Sequence, residues 1–325
     1  MINKIAFIGG FDRLYDEEGK AKSFEALGYE VGRFKEVGFN EQSFKDLIAF
    51  KPDMVMSPKY GINPEILVQL FQYCKEEGVI TTAWHPDLYH YGPNIAGENR
   101  MRMVANRIGL WGCDFVFSPD GGLDSKRFYD SCNVNHHLIR QAPYHETVGH
   151  NTSADISHIT TKEVVPILFV GSSYQIPDEF RAYMITSLRN RYGNDFLWLG
   201  KGEHDVREEE LSTLIARTKV VIGDSFYFPG YWSNRIYETI GRGGLCVHPY
   251  VPGIEDEFTP RKHCEFFPRW NFNELFRTID YYLKPENEEE RQSIISLGMD
   301  HIRENHTLLN RCRDLMWIIE SNHGV

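Results

Sequence analysis

The stretch Val220–Phe267, VVIGDSFYFPGYWSNRIYETIGRGGLCVHPYVPGIEDEFTPRKHCEFF, decides the fold. It reads as strand, loop, short helix, strand, loop. Val220–Gly223 and Leu245–Pro249 are short apolar runs of the kind buried inside parallel sheets. Between them, Ser233 or Asn234 is placed to cap a helix carrying Arg235 and Glu238. These two stand at i and i+3, so they share one helical face near the N-terminus. Gly241, Gly243 and Gly244 then end the helix and turn the chain back toward the sheet. A guanidinium and a carboxylate there suit a ligand with phosphates and hydroxyls. Spacing alone is met more simply by an Arg–Glu ion pair on an amphipathic helix.

The same alternation continues outward in both directions. Upstream, Val164–Val170 is a strand closing on Gly171-Ser172-Ser173, followed by a helix over Asp178–Arg191. The strand Phe196–Leu199 leads into Gly200-Lys201-Gly202, and a helix over Arg207–Thr218 returns to the opening stretch. Further back lie strands at Lys4–Ile8, from Tyr29, at Pro52–Ser57, Val79–Trp84, Asp114–Ser118 and His137–Gln141. Helices are expected up to Leu27, over Glu41–Phe50 and Pro64–Glu77, and near Ser125–Ser131. Strands separated by helices imply parallel, doubly wound α/β sheets. Gly9-Gly10 lacks G-x-G-x-x-G spacing, so a nicotinamide cofactor is not indicated. Residues 147–163 are polar and aperiodic and read as a crossover. The expected organisation is a first domain over 1–148, a linker over 149–163, a second domain over 164–306 and a terminal helix within 307–325.

A chain of 325 residues, 42% hydrophobic and 25% charged, holds two ordinary soluble domains. No apolar run reaches 18 residues, and MINKIAFIGG reads as a first strand rather than a secretion signal. Six cysteines without a C-x-x-C pair fit a reduced, cytoplasmic protein. A formal charge of −11 disfavours broad binding to nucleic acid. The basic stretches Arg100–Arg107 and Arg181–Arg191 are read as solvated helix faces. No low-complexity segment and no internal repeat beyond the alternation is present.

The strings Asn234-Arg235-Ile236-Tyr237-Glu238, Gly243-Gly244-Leu245 and Pro252-Gly253-Ile254-Glu255 resemble the donor-binding half of GT-B glycosyltransferases. The match is closest to the group 1 family in its spore-maturation-like subgroup. It continues through Phe272–Leu283, Glu289–Gly298 and His306-Thr307, covering the last third of the chain well. The resemblance implies two Rossmann-like domains with a cleft between them, and a last helix packing back toward the first domain. It implies transfer of a sugar from a nucleotide-diphosphate sugar, of UDP or GDP type, to an acceptor hydroxyl, with no other cofactor. In that family the glutamate matching Glu238 holds the nucleotide ribose. Many retaining members carry a second glutamate eight positions earlier, where this chain has Gly230. Retention is implied, with that donor-sugar contact unassigned.

The residues expected at the donor are Gly171, Ser172 and Ser173 at the diphosphate, Lys201 as added positive charge, and Asn234, Arg235 and Glu238. Lys201 reads equally well as a solvated lysine. Arg235 would stabilise the departing nucleoside diphosphate, and Tyr237 reads as packing. In the first half, Trp84-His85-Pro86-Asp87 stands at a strand's carboxyl end. His85 and Asp87 are candidates for binding hydroxyls or for general-base work, against a loop-capping Asp with a surface His. Ser118-Pro119-Asp120 is a second candidate of that kind. The chain has no D-x-D, zinc-ligand spacing, G-x-S-x-G elbow or P-loop, so a metal-independent site is expected. The acceptor stays open among a glycan, a protein and a hydroxylated DNA base. A nucleotide-sugar epimerase and a non-catalytic sugar- or coat-associated protein are the alternative functions.

Overall fold

Runs such as Ile5–Gly9 and Val165–Val170 are apolar along their whole length, so as strands they must be covered on both faces. The computed structural model describes residues 2–12, 17–57, 63–85, 113–149, 153–172, 179–200 and 206–323. Contacts divide the chain into two units: Met1–Tyr144 with Leu308–Val325, and His145–Thr307.

In the first unit the elements run β1 (Lys4–Gly9), α1 (Glu17–Ala26), β2 (Glu30–Lys35), α2 (Glu41–Phe50), β3 (Met54–Ser57), α3 (Pro64–Glu77), β4 (Ile80–Trp84), β5 (Phe115–Ser118), α4 (Gly122–Ser131) and β6 (His136–Leu138). The strands pair in parallel in the order β2-β1-β3-β4-β5-β6. Because side chains alternate along each strand, two cores form. Ile5, Phe7, Met54, Met56, Phe115 and Phe117 point to one face, and Ala6, Ile8, Val55 and Val116 to the other. The first of these cores is completed by the last helix, α10 (Leu308–His323), through Leu308, Cys312, Leu315, Met316 and Ile319. Their spacing keeps one helical stripe apolar, and that stripe packs beside α1.

The second unit comprises β7 (Val165–Val170), α5 (Phe180–Tyr192), β8 (Phe196–Leu199), α6 (Glu208–Ala216), β9 (Thr218–Ile222), α7 (Arg235–Gly241), β10 (Cys246–Pro249), β11 (Glu265–Phe267), α8 (Phe272–Leu283) and α9 (Glu288–Asn305). Its parallel order is β11-β10-β9-β7-β8. Ile167, Phe169, Val220, Ile222 and Val247 face α5, α8 and α9, whereas Leu168 and Val221 face the side of α6. Both sheets share one topology, in which the chain steps to one neighbour, returns past its start, and then builds outward. Such a sheet has a switch point where adjacent loops diverge, and ligands bind beyond the strands' carboxyl ends there. In the second unit that point lies between β7 and β9.

Two local departures from the sequence reading bear on the site. Thr218 begins β9 instead of ending the preceding helix, its hydroxyl donating to Leu214 O at 2.7 Å. The helix after β7 begins at Phe180, with Glu179 as its N-cap residue.

Candidate functional site

The gap between the ends of β7 and β9 is bridged by Arg235, the first residue of α7. Its Nε donates to Val170 O at 3.1 Å and its Nη1 to Asp224 O at 2.9 Å. Gly171 makes the approach possible: a Cβ there would lie 2.8 Å from Arg235 Nη2, and its φ of +153° already disfavours other residues. The Gly171 amide donates to Leu199 O at 2.9 Å, and its carbonyl accepts from Trp198 Nε1 at 2.7 Å. Gly171 therefore contributes close approach, its own amide being bonded to the end of β8. Burial is the main cause that brings the Arg235 guanidinium down to about 10; Arg181 adds to it and Asp224 opposes it.

Two further arginines meet the same backbone. Arg181, in the first turn of α5, donates through Nε to Asp224 Oδ2 at 2.5 Å and through Nη1 to Ser172 O at 3.4 Å. Arg269, just beyond β11, donates to Ser225 O at 3.2 Å. Arg181, Arg235 and Arg269 thus converge on Asp224–Ser225 around one fully buried carboxylate. The Oδ1 of Asp224 has no hydrogen-bond partner among the described residues. An excess of guanidinium over carboxylate at a switch point is an arrangement for holding an anion.

Glu238 and Asn234 also depart from the sequence reading. Arg235 and Glu238 do not pair. Glu238 Oε2 accepts from Arg242 Nε at 2.9 Å, and Oε1 accepts from Asn234 Nδ2 at 3.3 Å. Arg242 is held in turn by Glu208 O at 2.9 Å and by Ser212 Oγ, so the carboxylate is fixed on the side of α6. Neither Ser233 nor Asn234 caps α7. Asn234 has helical backbone angles and no side-chain cap bond, and Ser233 Oγ donates to Asp224 O at 2.8 Å. The Oδ1 of Asn234 has no partner among the described residues. Gly230 has φ +77° and donates to Pro252 O at 2.8 Å, a backbone that a glutamate would adopt only under strain. Tyr237 is buried, linking Trp232 Nε1 at 2.7 Å to Glu257 Oε2 at 2.5 Å.

Beneath the cluster lies His248, fully buried on β10, with Nδ1 at 2.7 Å from Pro249 O. That bond puts the proton on Nδ1. Burial, with Arg235 and Arg269 in support, pushes its pKa down to about 3, against the ordinary 6.5. The folded state therefore holds His248 neutral while the unfolded chain protonates it below 6.5. Stability attributable to this residue is complete above pH 6.5 and falls as pH drops toward 3. The loss is about 1.4 kcal/mol per pH unit for one proton. His248→Asn keeps a donor for Pro249 O, and its denaturation free energy is expected to show a slope smaller by that one proton between pH 6 and 4. An unchanged slope would show that His248 is not the group being protonated.

In the first unit His85 is fully buried at the end of β4, its amide donating to Phe117 O at 2.8 Å. Ser118 Oγ lies 2.8 Å from His136 Nε2, Tyr129 OH donates to Asp120 Oδ2 at 2.6 Å, and the Tyr129 and His136 rings stack at 3.8 Å. These contacts fix the loop after β5. Asp87, Ser173 and Lys201 lie outside the described residues. Of the expected donor residues, the structure brings Gly171, Ser172, Asn234, Arg235 and Glu238 to one end of the second unit. Asp224, Arg181, Arg269 and His248 were not singled out from sequence, although an Asp directly after the strand V-V-I-G is a legible sign.

Among the described residues there is no cluster of three or more His, Cys, Asp or Glu placed to hold a metal ion. None of their helices is long and apolar enough to cross a membrane. The six cysteines are free thiols.

Residues 181–316 match the family model described as Glycosyl transferase-like. No curated protein matches the chain in sequence. Among solved structures, HepE from Anabaena in complex with UDP-glucose is similar at 11% identity and TM-score 0.61, covering 98% of this chain and 99% of its own. Sucrose-phosphate synthase from Thermosynechococcus elongatus is similar at 11% identity and TM-score 0.63, with 99% of each chain covered. A trehalose-6-phosphate synthase studied for glycosyl transfer with retention is similar at 10% identity and TM-score 0.56, covering 86% of this chain and 77% of its own. The fold is the GT-B fold of glycosyltransferases, with two Rossmann-like α/β domains.

Proposed function

We propose that the second unit binds a nucleotide-diphosphate sugar and that the protein transfers its sugar to an acceptor hydroxyl. The observation that carries this reading is Arg235 at the switch point, with Arg181 and Arg269 beside it around Asp224. In this reading the diphosphate lies against Arg235 near Gly171, Ser172 and Ser173, with Lys201 as further positive charge. The ribose lies on Glu238, whose carboxylate is held in place by Arg242 and Asn234. As the sugar–oxygen bond breaks, negative charge grows on the leaving diphosphate, and a fixed guanidinium lowers that barrier without reorganising. His85 and Asp87 of the first unit are proposed to meet the acceptor, one of them taking the hydroxyl proton. We infer a metal-independent, retaining, cytoplasmic enzyme of the group 1 type, closest to its spore-maturation-like subgroup. The UDP-glucose and UDP complexes of the similar HepE favour a UDP sugar over a GDP sugar as the first donor to test.

Calorimetric titration with UDP, GDP, ADP, TDP and their common sugar conjugates, with and without EDTA, tests this reading. One diphosphate is expected to bind saturably, equally well in EDTA, and about a hundredfold more weakly to Glu238→Ala. Glu238→Gln keeps one acceptor oxygen and is expected to fall between the two. A folded protein that binds none of them would leave the sugar- or coat-associated reading. Turnover of a nucleotide sugar without any acceptor would point to an epimerase instead.

A further inference from the structure

The polar segment before β7 reads in sequence as a plain crossover, yet it is folded down onto the second unit. Ile156 is buried in the core that Leu168, Leu214 and Val221 share, and the Ala154 amide donates to Thr213 Oγ1 at 3.1 Å. Between this segment, the start of β9 and the turn joining α8 to α9 lies an open cavity of about 1060 Å³. That is the size of a small-molecule site. It lies wholly within the second unit, at the amino ends of β7 and β9. Arg235 holds the opposite ends of the same two strands. With six residues in β7, roughly 20 Å separates the two places.

The charged groups that line the cavity fall into two sets, and one set is already paired. The Arg291 guanidinium donates to Glu288 through Nε at 3.1 Å and to Lys219 O through Nη1 at 3.3 Å. Lys162 Nζ donates to Asn194 O at 2.6 Å and to Asp195 Oδ1 at 3.0 Å. Asp155 Oδ1 accepts from the Ser157 amide at 2.9 Å. Arg217 and Lys219, on either side of Thr218 at the start of β9, make up the other set. Arg217 stands near Asp155 and Lys219 near Glu288, but neither closes to an ion pair among the described residues. Glu163 likewise has no cation in ion-pair reach there, and the hydroxyls of Ser153 and Thr161 have no hydrogen-bond partner among the described residues.

We propose that this cavity binds a phosphorylated sugar, its phosphate on Arg217 and Lys219 and its hydroxyls toward Glu163, Thr161 and Ser153. Unpaired cations beside unpaired hydroxyls and a carboxylate are the complement of a ligand that carries both an anionic group and hydroxyls. Arg217 presents a planar fork suited to two phosphate oxygens, and Lys219 adds a second charge. Glu163 decides between a sugar phosphate and bare phosphate. Its carboxylate accepts from sugar hydroxyls but repels an anion that brings none. Size argues the same way, because a phosphate ion leaves most of about 1060 Å³ unfilled. The site goes beyond the sugar-transfer reading and shares no residue with it.

Calorimetric titration of the full chain with ribose 5-phosphate, glucose 6-phosphate, glucose and inorganic phosphate, each with and without UDP, tests the site. One of the two sugar phosphates is expected to bind wild type saturably, with the same affinity when UDP is present. Glucose and inorganic phosphate are expected to bind more weakly. Arg217→Gln and Lys219→Gln are each expected to weaken the sugar phosphate about tenfold, the scale of one lost charge-assisted contact. Arg217 is exposed and Lys219 half-buried, so both variants are expected to fold, which their melting temperatures check. Glu163→Ala is expected to narrow the gap between the sugar phosphate and inorganic phosphate. Neither sugar phosphate bound by folded wild type, or binding that survives both cation substitutions, overturns the site. Inorganic phosphate bound as tightly as either sugar phosphate overturns it in favour of a simple anion site. A sugar phosphate that UDP displaces lies in the nucleotide's site, and overturns it too. Sugar phosphate bound through Arg217 and Lys219 by a protein that binds no nucleotide leaves the cavity site standing and removes the transfer reading.

Discussion

Arg235→Ala is expected to lower affinity for the nucleoside diphosphate, and with it any transfer rate, by about 10²- to 10³-fold. That is the scale of removing one preorganised donor from a developing oxyanion. The expectation follows from where the side chain is tied. One guanidinium nitrogen holds the end of β7 and another holds the end of β9, so the group cannot swing away from the switch point. Its orientation is set before any ligand arrives, which separates it from a solvated arginine that must be ordered on binding. Arg235→Lys is expected to recover little, because an ammonium on a flexible stem does not reproduce a planar fork reaching two carbonyls. The substitution also removes the partners of Val170 O and Asp224 O, so a lower melting temperature is expected alongside the lost affinity. Calorimetry on variant still folded at the assay temperature separates these effects. Wild-type affinity in such a sample would mean that the anion lies elsewhere, and the assignment of Arg235 would fail.

The repeat of strand and helix was legible because it depends on local pattern. Apolar runs of strand length, glycine turns and a proline in a helix's first turn report themselves over a few residues, and the helices Glu41–Phe50 and Pro64–Glu77 form over the spans read from the sequence. The candidate site was legible only in part, for a physical reason. Arg235 and Glu238 stand close in sequence, and their spacing suggests a pair. Each instead has a partner from another element: Val170 and Asp224 for the arginine, Arg242 with its contacts in α6 for the glutamate. Helical spacing says which residues share a face, but the partner across the sheet is chosen by topology. Arg181 shows the same limit. Within Arg181–Arg191 it looks like one more charge on a solvated helix, and only the meeting of α5 with the end of β9 buries it against Asp224. Gly171 was marked by its place after a strand, but its role came from the approach of Arg235, a contact across 64 residues of chain.

That buried pair carries the largest expected effect on stability. Asp224 is fully enclosed and Arg181 nearly so, with Nε and Oδ2 2.5 Å apart. Taking either charge from water costs several kcal/mol, and the attraction between them offsets that cost only while both are present. Asp224→Ala therefore leaves Arg181 enclosed beside Arg235 with no carboxylate, and is expected to destabilise the second unit by about 3–5 kcal/mol. Chemical denaturation of the whole protein, read as a separate transition for each unit if two appear, measures it. Arg181→Met combined with Asp224→Leu removes both charges at similar volume and is expected to recover much of the loss. The two singles and the double make a cycle whose non-additivity isolates the pair. A double variant no more stable than Asp224→Ala would show that the carboxylate matters through its backbone neighbours instead. Asp224→Asn asks a different question. It keeps the shape and one carbonyl oxygen but removes the negative charge, leaving the three guanidiniums with no carboxylate between them. If the cluster is an anion site, Asp224→Asn loses stability yet binds a nucleoside diphosphate at least as tightly as wild type, because the competing charge has gone. Should the carboxylate serve chiefly to hold Arg181 in place, affinity falls in Asp224→Asn as well, and the anion site then depends on Arg181 being aimed by its partner.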